Sequence, residues 1–126
     1  MDNRTMHKFK SGVLGLFLAF TMSLAATVPA QAEDNSVRDY LRKYRVTNSM
    51  VNNLASVGNA NGYGPINSSF KKMFAVMIVD LCLEIRRGET TWSREISTDI
   101  RDGASRTQSN NFNNYVKRSF CPRLRY

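Results

Sequence analysis

Two cysteines, Cys82 and Cys121, carry the side chains best suited to nucleophilic, redox or metal chemistry, and they lie 39 positions apart. The only histidine, His7, lies in an N-terminal segment with the pattern of an export signal. Without that segment, no Ser-His-Asp triad, Cys-His pair or Cys/His zinc site can form. The spacing also excludes a Cys-x-x-Cys redox pair. In an exported protein, two cysteines predict a disulfide, with two free thiols as the alternative.

Carboxylates are the next groups that could do chemistry, and they form two pairs at helical spacing. Glu84 lies four positions after Asp80 on an apolar helix face, where a raised pKa would suit a general acid. Its place near the helix end, within reach of solvent or an arginine, favours a structural role. Glu95 and Asp99 alternate with arginines and predict a solvated face. We therefore predict no catalytic residue, no metal site, no cofactor and no enzyme activity.

The C-terminal segment is basic, with aromatic residues between its cations. Its candidate anion-binding residues are Lys117, Arg118, Arg123 and Arg125. Such a cluster can bind phosphates or a membrane surface, but cations near a helix C-terminus also stabilise the helix dipole. The whole chain has a net charge of +8, and the part after residue 32 has about +6. This charge fits an anionic partner, or a soluble basic surface, which the scattered arginines favour.

The first 32 residues have the three parts of an export signal: a basic start, an apolar run, and small residues two apart before Glu33. We predict a signal peptide over residues 1–32, and a single domain over residues 33–126. An uncleaved membrane anchor is the alternative, because the apolar run approaches spanning length. The expected location is secreted or extracytoplasmic, in the cell envelope or periplasm. Membrane contact is expected only through an uncleaved leader.

Five helices and no strand are predicted for the domain, and these helices must position the two cysteines. The segments with apolar residues at helical spacing are 35–46, 47–58, 70–88, 90–103 and 105–122. The third segment is apolar on nearly every side, which predicts a central helix carrying Cys82. The last segment ends at Pro122, next to Cys121. The expected fold is a small, compact all-α bundle of about five helices with one disulfide.

Polar residues and glycines predict where these helices begin and end. The expected N-caps are Ser36, then Thr47 or Asn48, then Ser68 or Ser69, then Thr90 or Thr91. The residues expected to end the second, third and fourth helices are Gly58, Gly88 and Gly103. The residues of the fourth helix expected to point inward are Trp92, Ile96 and Ile100.

The runs "VDLCLEIRRG" and "SRTQSNNFNNYVKRSFCPRL" resemble a family of small secreted actinobacterial proteins of unknown function, common in mycobacteria and sometimes carried by their phages. The resemblance covers about residues 60–123. It implies an exported helical domain with a bridge between Cys82 and Cys121, and it implies no established activity.

Together, these features predict an exported, non-enzymatic helical protein that acts by binding. The expected partner is an unknown protein or an anionic envelope component, and no specific nucleic-acid binding is expected. The alternative is a periplasmic inhibitor or immunity protein that blocks a toxin or a cell-wall hydrolase. Such immunity proteins share the small, helical, disulfide-bonded format, and they would be expected to expose aromatic or acidic residues that match an enzyme cleft.

Overall fold

The computed structural model describes residues 30–126, with side chains from residue 35 onward. Its five α-helices are α1 (Ala30–Lys43), α2 (Asn48–Ala60), α3 (Lys71–Arg86), α4 (Trp92–Arg101) and α5 (Arg106–Tyr115). A π-helical turn (Val116–Phe120) and a 3-10 turn (Cys121–Arg123) follow α5. The prediction of a small all-α bundle is confirmed, and residues 30–126 contain no strand. Most of the predicted export signal, residues 1–29, lies outside the described residues.

Polar side chains start three of the helices by accepting a backbone hydrogen bond. Thr47, Thr91 and Ser105 each accept from the N–H three residues further on, at 3.1 Å. These contacts satisfy N–H groups that have no partner within the helix. The predicted starts of α2 and α4 are therefore confirmed. Of the two residues expected at each start, Thr47 caps α2 and Thr91 caps α4.

Two other predicted starts are wrong. Ser36 lies inside α1, because that helix already begins at Ala30 and spans the predicted cleavage position. Neither Ser68 nor Ser69 caps α3. Instead, Asn67 Oδ1 accepts from the N–H of Phe70 at 3.0 Å and shapes the turn that precedes the helix.

The ends of α2, α3 and α4 share one pattern of two hydrogen bonds, the Schellman motif. A glycine N–H donates to the carbonyl three residues back, and the next N–H donates to the carbonyl five residues back. The glycines are Gly62, Gly88 and Gly103, with φ between 78° and 116°. The predicted ends at Gly88 and Gly103 are confirmed by these hydrogen bonds. Glycine suits these positions because an L-residue is strained at such a φ.

The predicted end of α2 at Gly58 is wrong, because the helix continues to Ala60. Gly58 is buried inside α2, where an added Cβ would lie 2.7 Å from Ile66 Cδ1. Close packing, rather than helix termination, therefore explains this glycine.

The core lies around α3, as predicted for the most apolar segment. Helix α3 packs against α1 and α2, while α4 packs against α5. Two aromatic contacts join the loop after α2 and helix α3 to α5: the Tyr63 and Phe112 rings stack with centroids 4.2 Å apart, and the Phe74 ring lies 5.9 Å from that of Phe112. Within residues 30–126, no helix is long and apolar enough to cross a membrane.

A disulfide joins Cys82 of α3 to Cys121 after α5, with Cα atoms 5.6 Å apart. The predicted pairing is thereby confirmed. Beyond this bond the tail folds back on the bundle. Leu124 is buried in the core, and the N–H of Arg125 donates to the carbonyl of Tyr44 at 3.0 Å. The end of the chain is thus fastened to the end of α1.

Candidate functional site

The junction between α1 and α2 contains an arginine at the position where α2, α3 and α4 each have glycine. The N–H of Arg45 donates to the Arg42 carbonyl at 3.0 Å, and the N–H of Val46 donates to the Leu41 carbonyl at 2.9 Å. This is the Schellman motif again, with Arg45 at a φ of 62°. Among residues 30–126, Arg45 is the only non-glycine residue with a positive φ. An L-residue in this conformation costs about 1 kcal/mol relative to glycine.

A groove of about 640 Å³ opens beside this junction. It lies between α1, the first residues of α2, and the start of α3. Its charged lining residues, which define the basic groove, are Arg38, Arg42, Arg45 and Lys72. No Asp or Glu of the described part of the chain is among its lining residues.

The floor of the basic groove is aliphatic and polar rather than aromatic. Leu41, Val46 and Val51 supply the apolar part of the lining, and Thr47 and Asn48 supply the polar part. The last two residues form the N-terminus of α2, whose dipole adds partial positive charge, and the first turn of α2 contains no acidic residue. The floor and walls together therefore favour a ligand that is negatively charged and partly aliphatic.

Among the side chains described from residue 35 onward, no Asp or Glu forms an ion pair with a cation of the basic groove. Between residues 35 and 126, the one ion pair within 4 Å joins Arg87 and Glu89, which do not line the groove. Arg38 donates instead to the neutral Asn35 side chain at 2.7 Å. Arg38 and Arg42 are also four positions apart on α1, a spacing at which like charges destabilise a helix by a few tenths of a kcal/mol. An anion in the groove would relieve this repulsion.

The four tail cations predicted to bind anions have different surroundings. Lys117 lies on the π-helical turn and lines a second groove of about 350 Å³ with Arg106 and Trp92. Arg118 is exposed on the same turn, and Arg123 is exposed in the 3-10 turn. The backbone of Arg125 is bonded to Tyr44, next to Arg45. The structure therefore brings the end of the tail to the α1–α2 junction, and anion binding by the tail stays a prediction.

Sequence reasoning missed the basic groove. The i, i+4 spacing of Arg38 and Arg42 was a local signal for it, because both residues must share one face of α1. Lys72 follows 30 positions after Arg42 and joins them only through the packing of α3 against α1. That contact cannot be read from residue spacing.

The prediction that Glu95 and Asp99 form a solvated face is wrong. Only 1% of the Glu95 surface and 5% of the Asp99 surface are exposed. Thr90 donates to Glu95 Oε2 at 2.8 Å, and Tyr63 donates to Asp99 Oδ2 at 2.6 Å. Asn113 of α5 also donates to Asp99 Oδ2, at 3.1 Å. These donors replace water, so two carboxylates can lie between packed helices.

The packing of α4 also changes the predicted role of its apolar residues. The residues expected to point inward, Trp92, Ile96 and Ile100, are only partly buried. Trp92 and Ile96 instead line the second groove. The reason is that α5 presents Ser109 and Asn113 to α4, and both of these side chains donate to the buried carboxylate of Asp99.

The hydroxyl groups bonded to the acids act as fixed donors. Burial and the Asp99 carboxylate raise the pKa of Tyr63 far above its ordinary value of 10.0. Burial and a hydrogen bond to Asp80 raise the pKa of Tyr40 in the same direction. Both tyrosines therefore stay protonated at physiological pH, and Asp80 and Asp99 are used as hydrogen-bond acceptors. These contacts account for the acids as parts of the fold.

Comparisons with protein-family models, with curated proteins and with solved structures found no match to this chain. The resemblance to small secreted actinobacterial proteins therefore stays a prediction. Among the described residues, the feature that bears most directly on function is the basic groove.

Proposed function

We propose that this chain is an exported, non-enzymatic protein that binds an anionic component of the cell envelope through its basic groove. The observation that carries the proposal is the grouping of three arginines and one lysine around one groove, with no acidic residue among the described residues that line it. Arginine and lysine side chains that are held near one another, and that lack acidic neighbours, attract multiply charged anions.

Export is supported by the pattern of residues 1–32 and by the disulfide. Disulfides persist in oxidising compartments outside the cytoplasm. A bond closing a loop of 39 positions contributes roughly 4 kcal/mol in the chain-entropy treatment. That contribution is comparable to the net stability of a small domain. A chain that depends on such a bond is suited to the periplasm or to the space outside the cell.

A binding role rather than catalysis is supported by how the polar side chains are used. The domain has no histidine to act as a base. Its two buried carboxylates on α4 accept hydrogen bonds from Thr90, Tyr63 and Asn113. The exposed cations of the basic groove can hold an anion by charge, but a guanidinium is a poor proton donor or acceptor at neutral pH.

The inhibitor or immunity alternative has less support. Proteins that block an enzyme cleft bind through buried anchor residues, often aromatic. Among residues 35–126, the one exposed large hydrophobic side chain is Tyr126, with 47% of its surface exposed. Its ring also packs against the Arg86 guanidinium at 4.2 Å. A single tethered aromatic residue is a small anchor for a tight inhibitor.

The proposal is tested by measuring the binding of the exported chain to isolated envelopes in buffers of about 50 and about 300 mM salt. The test variant is Arg42→Gln with Lys72→Gln. The matched control is Arg94→Gln with Arg101→Gln, which removes the same charge from exposed positions on α4. We expect salt to weaken binding and the groove variant alone to lose most of it. Salt-insensitive binding, or equal losses in both variants, would refute the proposal.

A further inference from the structure

We infer that the basic groove binds a phosphodiester polymer with an aliphatic backbone, such as a polyol phosphate, and that Arg45 is the residue positioned for this ligand. The inference rests on the proposed function and narrows it to one chemical class. Three observations support it: the number and placement of the cations, the aliphatic floor, and the conformation of Arg45.

The number of cations calls for a ligand with several charges. Four cations line one cavity, whose volume of about 640 Å³ falls within the range of ligand pockets rather than single-ion sites. A phosphodiester carries one negative charge per phosphate, so several consecutive phosphates are needed to balance the groove. A polymer provides them along one chain.

The placement of the cations favours phosphate over carboxylate. Arg38 and Arg42 come from α1, Arg45 from the junction, and Lys72 from α3, so the charges are supplied by three different elements. A carboxylate presents its two oxygens in one plane. A tetrahedral phosphate accepts hydrogen bonds from several directions, and the N-terminus of α2 at the same cavity is a further element that favours phosphate.

The floor separates an aliphatic polymer from nucleic acid. Proteins that bind single-stranded nucleic acid combine cations with aromatic side chains on which the bases stack. Among the described residues, no Phe, Tyr or Trp lines the basic groove. The aliphatic lining residues are Leu41, Val46 and Val51; Leu41 and Val51 are buried, so the partly exposed Val46 is the one placed to contact the carbon atoms between the phosphates.

Arg45 is the strongest indication that the groove has a ligand. Three other helices of this chain end in the same motif with glycine, at Gly62, Gly88 and Gly103. An arginine at the same position after α1 makes the protein less stable than a glycine would. Residues with backbone strain of this kind cluster at functional sites, so the conformation of Arg45 supports a role for its side chain. The function that the surroundings offer the Arg45 side chain is contact with the anion.

The test titrates the exported chain with four polymers matched in charge: poly(glycerol phosphate), inorganic polyphosphate, oligothymidylate and polygalacturonate. Vesicles of phosphatidylglycerol form a fifth arm, to separate a polymer from a lipid headgroup. We expect poly(glycerol phosphate) to bind at least tenfold more tightly than any other ligand. We also expect Arg45→Gly and Arg45→Ala to weaken that binding at least fivefold, while both variants stay folded.

The outcomes separate this inference from the proposed function. Equal binding of all polymers would overturn the choice of ligand class and leave anion binding by the groove intact. Preference for oligothymidylate or for vesicles would overturn it in favour of nucleic acid or lipid. Failure of every anion to bind would refute both the inference and the proposed function. Unchanged affinity in the two Arg45 variants would refute the role given to that residue.

Discussion

Replacing Arg45 with glycine should make the protein more stable, although it removes a large side chain. Arg45 has a φ of 62° in a motif that this chain otherwise completes with glycine. The relief of strain in Arg45→Gly is about 1 kcal/mol. For a domain of this size, 1 kcal/mol shifts the midpoint of thermal unfolding by roughly 4–8 °C. We therefore expect a rise of about 4 °C or more, measured by circular dichroism with the disulfide intact.

Two controls separate backbone strain from charge. Arg45→Ala removes the same charge but keeps a Cβ at the strained position, so it should lack the gain. Gly88→Ala is the reverse experiment, because Gly88 has a φ of 78° and an added Cβ meets nothing within 4 Å. It should lose about 1 kcal/mol from strain alone. If Arg45→Gly and Arg45→Ala have equal midpoints, the left-handed conformation of Arg45 carries no cost and the reasoning fails.

The remaining predictions concern the disulfide and the buried polar residues. The unreduced protein should show no free thiol, and two thiols per chain would contradict the bridge. Replacing both cysteines with serine should destabilise the protein by about 2–5 kcal/mol. Asp99→Asn should lower the free energy of unfolding in urea by about 1–3 kcal/mol, because Tyr63 and Asn113 lose a charged acceptor. The exposed control Asp102→Asn should change that free energy by less than about 0.5 kcal/mol. The pKa of Tyr63 is raised in the folded state, so the contribution of this residue to stability is complete below pH 10.0 and is lost as the pH rises above that value. Tyr63→Phe should therefore flatten the decline in stability at alkaline pH. An unchanged slope would argue against a buried hydroxyl.

Much of the fold was predictable because apolar spacing dominates its long helices. The apolar third segment forms the central helix α3, whose side chains Phe74 and Ile78 are buried. The apolar spacing of the last segment also leads to buried side chains, at Phe112, Val116 and Phe120, although α5 itself ends before Val116 and passes into a π-helical turn. The caps at Thr47 and Thr91 were predictable as well, since each contact spans three residues.

The errors fall where a distant element decides the environment of a side chain. Spacing places Trp92 on the apolar face of α4, but the polar residues of α5 draw the neighbouring face, with Glu95 and Asp99, into the interior. Nothing local marks Asp99 as buried, because its donors Tyr63 and Asn113 lie on the loop after α2 and on α5.

The basic groove was not predicted. Apolar spacing placed Arg45 inside the predicted helical segment 35–46, because no glycine in "YRV" marks the end of the first helix. The neighbourhood of Arg45, including Lys72, follows only from how α3 packs against α1. Neither the left-handed conformation of Arg45 nor the grouping of charges could therefore be read from local spacing.

The contacts of residues 121–125 have a consequence for the time at which the fold can form. Cys121, Leu124 and Arg125, which supply the disulfide, a core side chain and the bond to Tyr44, follow all five helices along the chain. Until these residues leave the ribosome, the core is open and the domain cannot complete its native contacts. The five helices are therefore synthesised before the segment that closes the domain is present.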